Sequence, residues 1–321
     1  MPKQRRHSAK KPWWQRSLSK ILYLFILGVF FLLYPGQNIY TIRPKVGKTV
    51  MRRLPFPLPT PAPYPTSMTG LYPGEEITAA GVVVLDVDSG VYLYKRNEEV
   101  LLAPASTTKI LTALVVLDAY QLDDVVTVRS VVNDGQVMGL VAGERITVEN
   151  LLYGMLIASG NDAAYALADH YEGGAERFIA AMNEKARTLH LTKSHFTNPV
   201  GYDHPDHKMS PIDLARLSGI ALSNKTIAKM VAIPQITISD VTYTYFHPLK
   251  NINQLLGKIP GVGGIKTGWT EGAGENLVTL LDRSGHRLIF VVLKSRDRFG
   301  ETAKLIDWVF ANYQWQVFEP K

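Results

Sequence analysis

Residues 80–117 read AGVVVLDVDSGVYLYKRNEEVLLAPASTTKILTALVVL. Residues 81–87 and 91–95 are rich in β-branched and aromatic side chains and surround Asp88-Ser89-Gly90, which predicts two strands joined by a tight hairpin. Apolar residues at helical spacing follow this hairpin: Ile110, Leu111, Leu114, Val115 and Leu117. The stretch therefore predicts a β-hairpin followed by a helix, with Ser106 in the first turn of that helix.

Helical periodicity continues through the middle of the chain, and strand-like patterns return near its end. Helices are predicted over 147–158, 161–171, 174–190 and 210–222. Strands are predicted over 276–281 and 287–293, and a closing helix over 301–312. Strands at both ends with helices between them predict one mixed α/β (α+β) domain. Its sheet is built from both ends of the domain and is accompanied by a helical subdomain.

The net positive charge of the chain comes from its N-terminal tail. The formal net charge is +7, but residues 1–20 hold seven Lys or Arg residues and no acidic residue, and the remainder has 28 basic and 28 acidic residues. A neutral remainder argues against a nucleic-acid-binding face. Cysteine is absent, which excludes disulfides, thiolate metal sites and a cysteine nucleophile.

An apolar segment follows the basic N-terminal tail. Residues 21–34 are fourteen apolar or aromatic residues that end at Pro35-Gly36, a pattern typical of an export signal. Residues 35–42 contain no small-residue cleavage site, which favours an uncleaved membrane anchor over a cleaved signal peptide, although both interpretations stay open. The lysine and arginine bias predicts that the tail is cytoplasmic and that the folded domain is outside.

A proline-rich stretch separates this segment from the folded domain. Prolines alternate with other residues in PFPLPTPAPYP, residues 55–65, a composition that favours extended polyproline II. We therefore expect four parts in the chain. They are a basic cytoplasmic tail (1–20), a membrane anchor or signal segment (21–40), a Pro-rich linker (41–69) and the functional domain (70–321).

Three short motifs occur in order: Ser106-Thr107-Thr108-Lys109, Ser159-Gly160-Asn161 and Lys266-Thr267-Gly268. A serine hydroxyl needs a base within hydrogen-bond reach, and a lysine three residues later on a helix lies on the same face. For Lys109 to act as a base, its charged form must be disfavoured by burial or by a cation such as Lys266. Taken alone, the first motif also fits an ordinary helix cap followed by a solvated lysine.

The second and third motifs add groups that can handle a peptide substrate. The hydroxyl of Ser159 can relay a proton, and the amide of Asn161 can hold a substrate carbonyl. Lys266 and Thr267 offer a cation and a hydroxyl to an anionic group such as a terminal carboxylate. We expect Gly268, on what reads as a strand edge, to let a substrate backbone come close.

S-x-x-K, S-x-N and K-T-G in this order resemble the motif set of the penicillin-binding proteins and serine β-lactamases. Together with residues 196–214 (FTNPVGYDHPDHKMSPIDL) and the segment GGIKTGWTEGAGENLV, the chain resembles one group within the β-lactamase-like superfamily. That group is the low-molecular-mass penicillin-binding proteins, which are serine-type D-alanyl-D-alanine carboxypeptidases of peptidase family S11. The resemblance covers residues 75–313. It implies a β-lactamase/transpeptidase-like fold with an antiparallel sheet flanked by helices, and no cofactor.

The resemblance also implies a reaction and its participants. Ser106 would attack peptidoglycan stem peptides ending in D-Ala-D-Ala and release the terminal D-Ala, and β-lactam antibiotics would be covalent inhibitors. Lys109 would be the base, and Ser159 with Lys266 would pass a proton to the leaving amine. The implied substrate-binding residues are Asn161, Lys266, Thr267, Gly268, Trp269 and Arg298. Among these, Trp269 shares the oxyanion hole with Ser106 through its backbone N–H, and Lys266, Thr267 and Arg298 hold the terminal carboxylate.

Other interpretations of the sequence are weaker. A serine β-lactamase of class A would need an E-x-x-L-N segment between Asn161 and Lys266, and none occurs. All the side chains expected of an active enzyme are present, and a catalytically inactive wall-binding homologue would not require them. A metal site at His204 and His207 lacks a helix to align the two imidazoles. The sequence departs from the family's usual pattern at Lys208-Met209-Ser210-Pro211 and at Trp269.

Overall fold

The computed structural model describes residues 13–33 and 62–317, and the chain divides into two compact units, Met1–Pro59 and Thr60–Lys321. In the first unit, helix α1 (Trp13–Leu33) includes residues 21–33 of the apolar run, whose side chains are largely exposed. The tail before residue 13 and the linker up to residue 61 lie outside the described residues. No helix within the described ranges combines the length and the apolar character that crossing a membrane requires.

The second unit alternates strands and helices along the chain. Its helices are α2 (Lys109–Ala119), α3 (Val148–Ile157), α4 (Asn161–His170), α5 (Gly174–Thr188), α6 (Pro211–Ser223), α7 (Lys225–Val231) and α8 (Arg298–Asn312). Its strands are β1 (Tyr64–Ser67), β2 (Gly81–Asp86), β3 (Tyr92–Arg96), β4 (Val125–Thr127), β5 (Arg145–Thr147), β6 (Ser194–His195), β7 (Lys208–Met209), β8 (Gln235–Ser239), β9 (Phe246–Lys250), β10 (Val262–Thr270), β11 (Gly274–Arg283), β12 (His286–Ser295) and β13 (Tyr313–Gln316).

A five-stranded antiparallel sheet organises this unit, in the order β10-β11-β12-β2-β3. Strands from the start and the end of the domain meet where β2 pairs with β12, with Val84 opposite Phe290. Side chains alternate between the two faces, so Val82 packs in a core with α8 while Val83 packs in a core with α2 and α6. Both faces are thus covered by helices. The α/β fold with a sheet built from both ends of the domain, predicted from the sequence, is confirmed.

The helical section between β3 and β10 also follows the sequence pattern. Helices α3, α4, α5 and α6 begin and end within two residues of the four predicted ranges. Side-chain caps explain two of the starts: Thr147 accepts a hydrogen bond from the Asn150 N–H at 3.2 Å, and Ser210 accepts one from the Asp213 N–H at 3.3 Å. The Ser210 cap gives a structural role to the part of the sequence that departs from the family pattern.

Two local predictions need correction. Ser106 does not lie in the first turn of an α-helix, because residues 105–108 form a 3₁₀ turn and α2 begins at Lys109. Ala105 has a left-handed φ of 48°, which interrupts regular helix geometry just before the serine. The predicted linker also ends too late: Tyr64–Ser67 forms β1, paired with β13. Pro65 is tolerated because this ribbon has only two strands and its outer edge needs no ladder hydrogen bond.

Candidate active site

The three motifs meet at one cleft of about 590 Å³. Ser106 comes from the 3₁₀ turn, Ser159 and Asn161 from the junction between α3 and α4, and Thr267 and Gly268 from β10. Strand β10 is at the edge of the five-stranded sheet, as the sequence predicts, so one side of it is free to accept an extended peptide. The fold thus brings together residues that are up to 162 positions apart in the chain.

Lys109 lies fully buried behind Ser106. Its Nζ donates hydrogen bonds to Ser106 Oγ at 2.8 Å, to Asn161 Oδ1 at 2.7 Å and to the Val200 carbonyl at 3.1 Å. Burial holds the pKa of Lys109 well below its usual range, and the charge of Lys266 lowers it further, against an opposing effect of Asp162. In its neutral form this amine keeps two N–H groups for Asn161 and Val200, and its lone pair can accept the hydroxyl proton of Ser106.

The second motif combines a strained serine backbone with a hydrogen-bonded asparagine side chain. Ser159 is buried with a left-handed φ of 62°, a conformation that costs a non-glycine residue about 1–3 kcal/mol. The Asn161 side chain donates from Nδ2 to the Asp134 carbonyl at 2.9 Å and to Tyr202 Oη at 3.3 Å. The side chain of Asn161 therefore already contacts the Lys109 amine and the cleft wall before any substrate binds.

Two cations lie along β10. Lys266 is buried, and its Nζ donates to the Thr267 carbonyl at 3.1 Å. Burial lowers the pKa of Lys266 to about 7, with a further contribution from Arg298. Arg298, the first residue of α8, donates from Nη1 to the Gly268 carbonyl at 2.7 Å, and its own pKa is lowered by burial. Arg298 Nε is buried and has no acceptor among the described residues.

Gly268 has a structural role in addition to the substrate contact that its sequence context predicts. A β carbon here would lie 3.0 Å from both the Pro104 carbonyl oxygen and the Ser106 nitrogen. The missing side chain therefore leaves room for the close contact between β10 and the Ser106 turn, in addition to any room that it leaves for a substrate. Because Trp269 follows Gly268 directly on β10, this contact brings the part of the strand that carries Trp269 up to the Ser106 turn. The Trp269 side chain is 62% exposed at the rim of the cleft.

The loop between β6 and β7 forms a wall of the cleft that the motif analysis missed. Gly201 has a φ of 93°, and a β carbon there would lie 1.8 Å from the Ala105 carbonyl oxygen, so the loop rests directly on the Ser106 turn. Asn198 Oδ1 accepts the backbone N–H groups of residues 200, 201 and 202. Burial raises the pKa of Tyr202 to about 12, so its hydroxyl stays protonated and donates to the Asp134 carbonyl. The sequence signal for this loop was the N-P-V-G-Y run.

The structure does not bring His204 and His207 together as metal ligands. His207 is buried, with Nε2 at 2.9 Å from Thr108 Oγ1 and Nδ1 at 3.1 Å from the Thr197 N–H. His204 is on the surface and accepts a hydrogen bond from the Asp206 N–H. Within the described parts of the chain, no group of three or more His, Cys, Asp or Glu residues could hold a metal ion.

Known proteins match both the sequence and the fold. The family model described as D-alanyl-D-alanine carboxypeptidase, peptidase S11, matches residues 67–297. D-alanyl-D-alanine carboxypeptidase DacF of Bacillus subtilis is 34% identical over 246 residues, 74% of this chain and 63% of that protein. DacB2 of Mycobacterium tuberculosis is 36% identical over 241 residues, covering 71% of this chain and 81% of that protein.

Solved structures agree with these matches. The Streptomyces K15 DD-transpeptidase is 34% identical and superposes with a TM-score of 0.69, covering 73% of this chain and 98% of that one. A penicillin-binding protein homologue from Mycobacterium tuberculosis gives a TM-score of 0.71 at 33% identity, covering 77% of this chain and 96% of that one. Motifs, fold and similarity agree that the chain belongs to the S11 peptidase family of D-alanyl-D-alanine carboxypeptidases.

Proposed function

We propose that this protein is a serine-type D-alanyl-D-alanine carboxypeptidase that removes the terminal D-Ala from peptidoglycan stem pentapeptides. The observation that supports it most directly is the buried Lys109 amine, 2.8 Å from Ser106 Oγ at the floor of an open cleft. A depressed lysine pKa beside a serine is the arrangement that activates the serine as a nucleophile. Membership of the S11 family supports the choice of substrate.

In the first step, neutral Lys109 takes the Ser106 hydroxyl proton while Oγ attacks the carbonyl carbon of the penultimate D-Ala. The carbonyl oxygen becomes an oxyanion that accepts hydrogen bonds from the backbone N–H groups of Ser106 and Trp269. The close approach of β10 at Gly268 is the feature that supports this pairing of donors. These donors act only where charge develops, so they favour the transition state over the bound substrate.

In the second step, the bond to the terminal D-Ala nitrogen breaks and that nitrogen takes up a proton. We assign the proton path to Ser159 and Lys266. Ser159 is buried and borders the cleft, and Lys266 has a pKa of about 7, so it can give up and regain a proton near neutral pH. The products of this step are free D-Ala and an ester between Ser106 and the shortened stem.

The terminal carboxylate is assigned to Lys266, Thr267 and Arg298. The strongest support is Arg298 Nε, a buried N–H without an acceptor among the described residues, on a guanidinium that contacts the Gly268 carbonyl. A carboxylate bound beside it would satisfy that donor and offset the mutual repulsion of the two cations. Asn161 orients the substrate backbone indirectly, because its own amide is engaged by Lys109 and Asp134.

Water then hydrolyses the ester and frees the shortened stem. An amine in place of water would give transpeptidation, and the likeness to the Streptomyces K15 DD-transpeptidase favours that reaction as a second candidate. A β-lactam presents a strained amide to the same serine, so we expect it to form a stable acyl-enzyme. Mass spectrometry of pentapeptide and amine-supplemented reactions would separate hydrolysis from transfer by the mass of the product.

The decisive test compares Ser106→Ala with Ser223→Ala, an exposed serine at the end of α6. The expected result is that Ser106→Ala releases no D-Ala and forms no covalent adduct with penicillin, while the control retains both activities. Release of D-Ala at the wild-type rate by Ser106→Ala would refute the assigned nucleophile. Rapid penicillin turnover by the wild-type protein would instead indicate a β-lactamase.

We also propose an extracytoplasmic location with the N-terminal segment as a membrane anchor. Membership of a family of cell-wall enzymes supports a catalytic unit outside the cytoplasm. The support for the anchor itself is the basic tail followed by the apolar run over residues 21–34, without a small-residue cleavage site. The mass of the mature protein extracted from cells tests this: a chain that begins near residue 36 would overturn the anchor.

A further inference from the structure

His207 lies behind the nucleophile rather than in the cleft. The side chain is 1% exposed, and Nε2 is 2.9 Å from Oγ1 of Thr108, the residue just before Lys109. The opposite ring nitrogen, Nδ1, faces Thr197 on the loop between β6 and β7. The imidazole therefore bridges this loop and the turn that holds both reacting side chains.

The hydrogen bonds fix the tautomer of this ring. A backbone amide can only donate, so Nδ1, which accepts from the Thr197 N–H at 3.1 Å, carries no proton. The neutral ring then has its proton on Nε2 and donates it to Thr108 Oγ1. Burial lowers the pKa of His207 to about 4, helped by nearby His195, His204 and Lys208 and opposed by Asp203, so the ring is neutral at neutral pH.

A short path of contacts leads from the ring to the catalytic lysine. Asn198 follows Thr197 and accepts three successive backbone N–H groups, which makes residues 198–202 a rigid loop. The Val200 carbonyl of this loop is one of the three acceptors of Lys109 Nζ, at 3.1 Å. Gly201 packs against the Ala105 carbonyl, so the same loop also touches the backbone just before Ser106.

We propose that His207 is a positioning residue for Lys109. By joining Thr108 to Thr197, the neutral imidazole holds the loop on the Ser106 turn and fixes the Val200 carbonyl, which in turn sets the lysine amine 2.8 Å from Ser106 Oγ. The inference rests on the proposed function in one respect, that Lys109 is the base for Ser106. It concerns the acylation step and does not depend on which acyl donor is used.

Loss of the bridge has two expected effects on acylation. A catalytic group that is misplaced by about 1 Å can slow a reaction by up to about 100-fold, so a drop of about tenfold or more is expected. The Val200 carbonyl also stabilises the charged form of Lys109, and losing that acceptor lowers the lysine pKa further. The midpoint of the acylation pH profile should therefore move to lower pH while the plateau rate falls.

Two substitutions of His207 each break one of the two hydrogen bonds that join Thr108 to Thr197. His207→Asn keeps an acceptor near Nδ1 for Thr197 and loses the contact with Thr108, whereas His207→Gln reaches Thr108 and loses Thr197. Thr108→Val removes the same bond from the other side, and His195→Asn is the control, since His195 is exposed on β6. The measurement is the rate of acylation by a fluorescent penicillin between about pH 5 and pH 9. The rate is divided by the final adduct yield, so that only folded, reactive sites count.

Both His207 variants and Thr108→Val should acylate about tenfold or more slowly per active site, with a lowered pH midpoint. The double variant His207→Asn/Thr108→Val should be no slower than either single variant, because the two substitutions remove the same hydrogen bond between residues 108 and 207. Variants that acylate at the wild-type rate per site with an unchanged midpoint would overturn the inference alone, even if their Tm falls. A wild-type protein that penicillin does not acylate would overturn the proposed function and the inference with it.

Discussion

Replacing Gly268 by alanine tests how closely the edge strand must approach the nucleophile. The added β carbon would meet the Pro104 carbonyl oxygen and the Ser106 nitrogen at 3.0 Å, and the Ala105 β carbon at 3.1 Å. Two of these atoms are backbone and the third is bonded directly to it, so none can rotate away as the end of a long side chain could. Either β10 or the Ser106 turn must move by a few tenths of an ångström.

The magnitude follows from the two consequences of that movement. Overpacking a close contact costs about 1–3 kcal/mol of stability. The movement also separates the Ser106 N–H from the Trp269 N–H, and losing one oxyanion donor slows acyl transfer by about 100-fold to 1,000-fold. We therefore expect Gly268→Ala to fold with reduced stability and to acylate about 100-fold more slowly.

The assay measures the penicillin acylation rate per active site together with urea denaturation. The matched control is Gly219→Ala on α6, where the nearest atom to the new β carbon is Ile289 Cδ1 at 3.9 Å, an ordinary van der Waals contact. The control should acylate at the wild-type rate and be as stable as wild type, or up to about 1 kcal/mol more stable because alanine favours the helix. Acylation of Gly268→Ala at the wild-type rate would refute the inferred contact between β10 and the Ser106 turn.

Three further substitutions address the lysines and the cleft wall. Lys109→Ala should slow acylation by about 100-fold to 10,000-fold, as expected for loss of a general base, with the adduct followed by mass spectrometry. Because Lys266 loses its charge above its pKa of about 7, kcat/KM for a peptide with a free carboxylate should fall as the pH rises through 7. Lys266→Arg should move that decline to higher pH, and an unchanged profile would contradict the assigned carboxylate contact. Tyr202→Phe removes the hydroxyl that bridges the Asp134 carbonyl and the Asn161 amide, so it should cost about 0.5–1.5 kcal/mol in urea denaturation.

The secondary structure was predictable because it depends on local periodicity. The hairpin over β2 and β3 follows from runs of β-branched and aromatic residues on either side of a turn sequence, and the helices α3 to α6 follow from apolar spacing near 3.6. Both patterns can be read within a window of about 11–18 residues. The 3₁₀ turn at Ser106 was not predictable in this way. Its geometry follows from Ala105, whose left-handed backbone is pressed between Gly201 and Gly268 from two distant segments.

The candidate nucleophile Ser106 and the candidate base Lys109 could be predicted from the sequence, because they are only three residues apart along one turn. The residues that place Lys109 were not, because their contacts span the chain: the bond from Lys109 to Val200 joins residues 91 apart, and that from Thr108 to His207 joins residues 99 apart. No periodicity marks His207, so the sequence presented it only as a weak metal ligand.

The sequence by itself determined the order of the motifs, the family and the elements of the fold, since motif chemistry and side-chain periodicity are properties of neighbouring residues. Only the tertiary structure decided that Lys109 is buried beside three oxygen atoms and that the pKa of Lys266 is lowered to about 7. It also decided that the missing side chain of Gly268 leaves room for the Ser106 turn as well as for a substrate. Burial and electrostatic coupling act through space, and the residues that create them are brought together only when the chain has folded.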